Sequence, residues 1–198
     1  LDDSGKRFLV GAIHDITDSR KAEEALLERQ ARLEDTQRLA KLGSWSWDIA
    51  TDTVTWSEEL FRIAGRDPAG PAPTYAEHPQ VFTPESFARL SAAVDRALAQ
   101  GEPYELDLEL VRPDGAHRGV IGRGQAVSDA AGRVIGLLGT LLDITERKRA
   151  EEALSSSLAL IEATLESTAN GILVVSPDGT VLKANRVFAE LWHIPDDI

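Results

Sequence analysis

The sequence predicts an α+β fold, a five-stranded antiparallel sheet with helices on one face, flanked by long linker helices. Three observations carry this. Tyr104, Leu106, Leu108 and Leu110 alternate with Glu105, Asp107 and Glu109, as in a strand with one buried and one wet face. Phe87, Leu90, Val94 and Leu98 recur at helical spacing until Gly101. The segments run strand, strand, short helices, long helix, three strands, an order that gathers the helices on one side of a hairpin-linked sheet.

In chain order, residues 18 to 41 form a charged helix, and Ser44-Trp45-Ser46-Trp47-Asp48 then alternates polar and aromatic as a first strand. A turn at Thr51-Asp52 leads to the β-branched and aromatic strand Thr53-Val54-Thr55-Trp56. Ser57 is the N-cap of a short helix with Glu58 and Glu59 in its first turn, and Gly65 closes it. Pro68, Pro71, Pro73 and Pro79 make residues 66 to 80 a loop with room for one helical turn, and place His78 at the surface. Pro84, capped by Thr83, opens the longest helix of the unit. The Pro113-Asp114-Gly115 turn separates the acidic strand from a second one over His117 to Val127. The Asp129 to Gly132 turn leads to a third, from Arg133 to Leu142.

An internal repeat organises the chain. DITDSRKAEEAL at residues 15 to 26 returns as DITERKRAEEAL at 143 to 154, an offset of 128. The offset also brings Leu42-Gly43 onto Asn170-Gly171, Leu60 onto Phe188 and Ile63 onto Leu191, and slips by one between Gly5 and Gly132. With 198 residues only one unit is complete. The expected division is the end of one unit at 1–17, a linker helix at 18–42, the complete domain at 43–145, a second linker at 146–168 and the start of another unit at 169–198. Neither end piece has enough chain for its own core, so the sequence reads as part of a longer protein.

Composition excludes several classes. A hydrophobic fraction of 42% with 27% charged residues is that of a globular chain able to bury a core. The net charge of −12 argues against a nucleic-acid partner, which requires a basic face. The apolar run Val134 to Leu142 is far shorter than the roughly 20 residues that span a bilayer, so no membrane contact is expected of this segment. There is no signal-peptide pattern after Leu1, and no cysteine, which fits a cytoplasmic protein and excludes disulfides and thiolate metal sites.

The segments GSWSWDIATDTVTWSEELFRIAG (43 to 65), YELDLELVRPDG (104 to 115), GRVIGLLGTLLDITERKRAEEAL (132 to 154) and GILVVSPDGTVLKANRVFAELW (171 to 192) resemble the PAS domain family. The complete unit looks like the PAS subclass that opens with paired tryptophans, and it departs from that pattern at Arg118-Gly119, where a tryptophan often follows the arginine. The resemblance implies a non-catalytic segment of a bacterial sensor in a two-component system, whose output domain is a histidine kinase or, as the alternative, a cyclic-dinucleotide enzyme. It also implies that Asp15, Thr17, Asp143, Ile144 and Thr145, at the strand-to-helix corners, transmit changes from sheet to helix.

At those corners Thr17 and Thr145 are positioned as N-caps, and the aspartates are placed to pair with a basic side chain such as Arg20 or Lys148. Ala150, Leu154, Leu158, Ile161 and Leu165 form an apolar stripe, cleaner than Ala22, Leu26, Leu33 and Ala40, which Arg29 and Thr36 interrupt. The stripes serve a homodimeric coiled coil or pack on the chain's own sheet. Expected partners are thus a second copy, the neighbouring PAS and output domains, and a small-molecule ligand.

The residues placed around a ligand pocket between sheet and helices are Trp45, Trp47, Trp56, Phe61, Phe87, Leu106, Leu108, Gly119 and Ile121. Packing and hairpin stability explain the tryptophans equally, and neighbouring side chains can fill the space at Gly119. No cofactor is expected. Flavin photochemistry of the light-sensing PAS type needs a cysteine, haem-sensing PAS domains use a histidine on the long helix, and residues 84 to 100 contain none. His14, His117 and His193 lack metal-ligand spacing. Gly119, Gly122 and Gly124 lie within a strand, not at a phosphate-binding strand-to-helix turn. No catalytic motif appears.

Overall fold

Two residues separate strand β1 (Leu42–Asp48) from the end of helix α1 (Thr17–Leu39), and β1 pairs on both sides, with β2 (Thr53–Trp56) and with β5 (Val134–Asp143). In the computed structural model, which describes residues 17–194, β4 (His117–Ser128) and β3 (Tyr104–Val111) complete the sheet in the order β2-β1-β5-β4-β3, every pair antiparallel. Between β2 and β3 lie α2 (Glu58–Ala64), a 3-10 helix (Tyr75–Gln80) and α3 (Pro84–Gln100). This is the expected α+β architecture. The chain falls into two compact units, one up to Asp143 and one from Ile144 onward.

The first unit's core lies between the inner sheet face and the helices. Leu108, Leu110, Val120, Leu137 and Leu141 from the sheet meet Leu60, Val81, Leu90, Val94 and Ala97. The caps follow the sequence. Ser57 accepts from Leu60 N at the start of α2, and Gly65 ends that helix in the left-handed conformation, at φ 66°. Thr83 accepts from Ser86 N at the start of α3. That end of α3 is stitched to edge strand β3, since Ser86 Oγ accepts from Glu109 N at 2.9 Å and Thr83 N donates to Glu109 O at 3.0 Å. The acids of β3 face solvent, Glu105 pairing with Arg123 at 2.7 Å and Glu109 with His117 at 2.8 Å.

The second unit holds α4 (Thr145–Ser167), the hairpin β6 (Leu173–Val175) with β7 (Val181–Ala184), and α5 (Arg186–Trp192). Its buried polar anchor is Asn185, 2% exposed. Its Oδ1 accepts from Ile172 N and Phe188 N, at 2.7 and 3.0 Å, while its Nδ2 donates to the carbonyls of Leu165 and Asn170, at 2.8 and 2.9 Å.

One local expectation is corrected. Thr145 is the first helical residue of α4 rather than its cap, and Ile144 occupies the cap position without a side-chain hydrogen bond. Lys148 N donates to Ile144 O at 2.9 Å, which fixes the helix start. Ile144 is 4% exposed, so burial of an apolar side chain outweighs the preference for a polar cap there. Asp15 and residues 1–16 lie outside the described residues, as does the side chain of Thr17.

Candidate functional site

A cavity of about 60 Å³ sits in the core of the first unit. Strand β1 contributes Trp45 and Trp47, β2 contributes Val54 and Trp56, and the floor is Leu108, Gly122, Leu137 and Leu141. The opposite wall comes from Tyr75 and His78 on the 3-10 helix, with Phe82, Leu90 and Val94. Among the described residues no carboxylate, lysine or arginine lines it, which leaves His78 as the lining side chain able to become cationic.

Glycine opens the floor. The inner face of β4 presents Gly122, and a Cβ there would stand 3.0 Å from Leu108 Cδ1. At Gly124 a Cβ would enter the Tyr104 ring, and at Gly139 it would lie 1.9 Å from the Arg123 carbonyl oxygen and 2.7 Å from the Trp45 ring. These glycines let aromatic side chains lie directly on the sheet.

The wall carries the polar groups. The Tyr75 ring stacks on Trp47 at 4.8 Å, and its hydroxyl is buried without a hydrogen-bond partner among the described residues. The capping box of Thr74 and Glu77 fixes the turn that places it. His78 Nδ1 is 2.7 Å from the Thr74 carbonyl and therefore donates to it, leaving Nε2 as the acceptor nitrogen of the neutral ring. Burial holds the imidazole below the usual histidine range, against the opposing effect of the Thr74 carbonyl. Burial likewise pushes the Tyr104 phenol above its usual range, with Tyr75 adding to the shift.

The second feature is the end of β5. Asp143 N donates to Lys41 O at 3.0 Å, and the Asp143 carboxylate lies 3.7 Å from the Arg118 guanidinium, both side chains mostly buried. Arg118 thus joins the basic groups that the sequence places near this aspartate.

The family model described as PAS fold matches residues 53–141. The central domain is a PAS domain. The chain is 24% identical over 140 residues to the sensor protein FixL of Bradyrhizobium diazoefficiens, covering 71% of this chain and 28% of that one. It is 27% identical over 181 residues to a blue-light-activated histidine kinase of Brucella anthropi, covering 86% and 36%. With a probable diguanylate cyclase, DgcE, of Escherichia coli it shares 21% over 168 residues, covering 85% and 15%. The chain therefore spans well under half the length of these relatives. A solved sensory box histidine kinase/response regulator from Burkholderia thailandensis superposes with a TM-score of 0.53 at 26% identity, over 67% of this chain and 98% of that one.

Of the residues placed around a pocket by sequence, Trp45, Trp47, Trp56 and Leu108 line the cavity of the PAS domain. Phe61 is buried in the adjoining core, its ring edge-on to Trp56, while Phe87 and Leu106 are half-buried against that core. Gly119 and Ile121 are corrected: they lie on the outer face. In the β3·β4 register Leu108 faces Val120 and Leu106 faces Gly122, whereas Gly119 and Ile121 face Glu109 and Asp107. Directly paired residues share a sheet face, so one step of parity moves both away from the core.

Tyr75, His78 and Phe82 of the wall were hidden by the prolines around them. Their spacing of three and four residues was the available signal. The surface position expected of His78 is likewise replaced by a half-buried one, between Trp56 and Phe82.

Proposed function

We propose that this chain is a relay segment of a larger sensor, in which the PAS domain passes a change in its sheet through linker helices to an output domain. The observation that carries the reading is the hydrogen bond from Asp143 N to Lys41 O. The incoming linker delivers the chain to β1 and the outgoing one receives it from β5, neighbouring strands paired from Leu42↔Leu142 onward. A shift of β1 against β5 therefore acts on both attachment points. Asp143, Ile144 and Thr145 are the relay residues at the exit, and Asp15 and Thr17 their counterparts one repeat earlier.

Similarity to FixL and to a blue-light-activated histidine kinase favours a histidine kinase output in a two-component system. Similarity to a probable diguanylate cyclase supports a cyclic-dinucleotide enzyme as the alternative. In this reading the segment has no chemistry of its own, and residues 1–17 and 169–198 are parts of neighbouring PAS domains. Leu154, Leu158 and Ile161 of α4 are each more than half exposed, an apolar stripe suited to a parallel homodimeric coiled coil. With no described helix apolar enough to cross a membrane, we place the segment in the cytoplasm.

The test is an insertion series in α4 of the parent protein. Output should change sign or collapse with insertions of two to four residues and recover at seven, the heptad repeat that restores the seam. Output indifferent to insertion length would overturn the relay. The second reading, a small-molecule sensor, is favoured by the aromatic-walled cavity in the core of the PAS domain.

A further inference from the structure

We propose that the free edge of β6 is a docking site for a second copy of this chain, which adds its residues 9–15 there as an antiparallel strand. This rests on the reading above of residues 1–17 and 169–198 as parts of PAS domains, and adds that the two parts fit each other.

The repeat sets the register. Strand β1 pairs with both β2 and β5, whereas β6, 128 positions on, pairs among the described residues with β7 alone. In the central domain the pairs are Trp45↔Gly139, Ser46↔Leu138 and Trp47↔Leu137. The same offset turns them into Leu173 with Gly11, Val174 with Val10 and Val175 with Leu9, which keeps a glycine opposite the first large side chain. The hydrogen bond from Asp143 N to Lys41 O becomes one from Asp15 N to Ala169 O, closing the ladder. An unpaired strand edge and a segment that matches it in sequence are what strand addition requires.

The apolar surface beside that edge is half of a core. Helix α5 packs on β6 as α2 packs on β1, since a Cβ at Gly171 would stand 3.0 Å from Phe188 Cα and one at Gly43 would stand 2.8 Å from Leu60 Cα. Yet Leu191 is 67% exposed where its counterpart Ile63 is 4% exposed, and Leu173, Val175 and Leu182 are open as well. Leu9 and Ile13, which match the buried Leu137 and Leu141, would cover part of this surface. Helices α1 and α4, of 23 residues and about 34 Å each, separate residues 9–15 and β6 from the Lys41–Asp143 contact. One chain joins the two only if both helices run the same way from that contact, a condition that two copies escape. The contact is heterologous and joins copies end to end. Its ladder is short, so it is weak and populated at high protein concentration.

The experiment uses the full chain, whose lack of cysteine lets single substitutions report contacts. All chains also carry Leu154→Glu, which removes pairing through α4 as a source of contact. Chains with Val10→Cys, mixed with size-tagged chains with Val174→Cys and oxidised, should form a mixed disulfide whose yield rises with concentration. Ala12→Cys should couple to Val174→Cys about tenfold more slowly, since a slip of two residues takes the Cα atoms to or beyond the roughly 7 Å that a disulfide spans. Leu9→Asp in the first chain should abolish coupling by setting a carboxylate against the apolar surface. Equal rates for Val10→Cys and Ala12→Cys overturn the register. Faster coupling of Val174→Cys to itself overturns the occupant in favour of two paired β6 edges. A disulfide within one chain that carries both substitutions, formed at high dilution, overturns it in favour of the chain's own segment. If no coupling occurs while hydrogen exchange shows β6 paired with β7, this inference falls and the reading of residues 169–198 stands. If exchange shows no hairpin there, both fall.

Discussion

Asn185 Nδ2 donates to the carbonyl of Leu165 at 2.8 Å, fastening the end of α4 to the hairpin and helix that follow it. Ser57 stands 128 positions earlier and performs only part of this task. It accepts from Ser44 N and Leu60 N, the counterparts of Ile172 and Phe188, but has no amide with which to reach a helix carbonyl. In that unit Gln37 of α1 reaches across instead, donating to Ser44 Oγ at 3.2 Å. Helices α1 and α4 are thus fastened to the elements after them by different means, the second more heavily.

Replacing Asn185 separates its two roles. Asn185→Ser should preserve slow hydrogen exchange at the Phe188 amide and speed exchange in the last turn of α4. Asn185→Ala should lose protection at both and cost about 3 kcal/mol, because several buried groups go unpaired. Unchanged exchange at the end of α4 in both variants would show that the clasp is inert.

The glycines of the sheet should differ sharply in tolerance. Gly139→Ala forces a Cβ against the Arg123 carbonyl, backbone that cannot turn aside, and should destabilise by about 3 kcal/mol in urea unfolding. Gly122→Ala meets only the Leu108 methyl and should cost under about 1 kcal/mol. Equal losses would contradict this placement of the two residues.

The Arg118–Asp143 pair, at 3.7 Å and partly screened, should show a coupling of about 1 kcal/mol in a double-mutant cycle with alanine. Its larger effect is expected on output from the parent protein, where loss of either partner frees the end of β5.

Acid should weaken the PAS domain in two separate windows. His78 binds its proton less readily folded than unfolded, so stability falls as pH drops from about 6.5 toward its depressed value. Glu77 and Arg66 oppose each other in tuning that value, and His78→Gln should flatten this part of the curve. The carboxylates of Asp48, Glu77, Glu105 and Asp129 are held low by hydrogen bonds, those of the Thr51, Thr74 and Arg133 backbones and of the Arg123 side chain. Their stabilisation is present above about 4 and is lost only as pH falls further. Unfolding measured across pH 3 to 8 resolves the two.

On the proposed coiled-coil reading the chain should sediment as a dimer, and Leu154→Glu and Leu158→Glu should shift it toward monomer with the far-UV spectrum of the PAS domain retained. Dimers of undiminished strength would move the interface away from α4.

The sequence carried the sheet because β3 alternates without a break and because glycine and proline mark its turns. It carried the cavity less well. Strand β4 reads HRGVIGRGQAVS, where glycines on the inner face erase the alternation, so the parity of Gly119 and Ile121 depends on pairing Val111 with His117 across the turn. Tyr75 and His78 were obscured for another reason. Proline predicts an interruption of regular structure, yet a 3-10 helix accommodates Pro79 and turns both rings inward. The cap position at Thr145 was displaced by one residue because burial of Ile144, a tertiary effect, has no local signature.

The contact between Lys41 and Asp143 also bears on ancestry. The polypeptide comes back to within one hydrogen bond of its point of entry, so the domain is spliced into the chain as a closed loop. A gene can gain or lose such a loop without displacing the residues on either side of it, and the 128-residue periodicity is the kind of trace that duplication of this sort leaves.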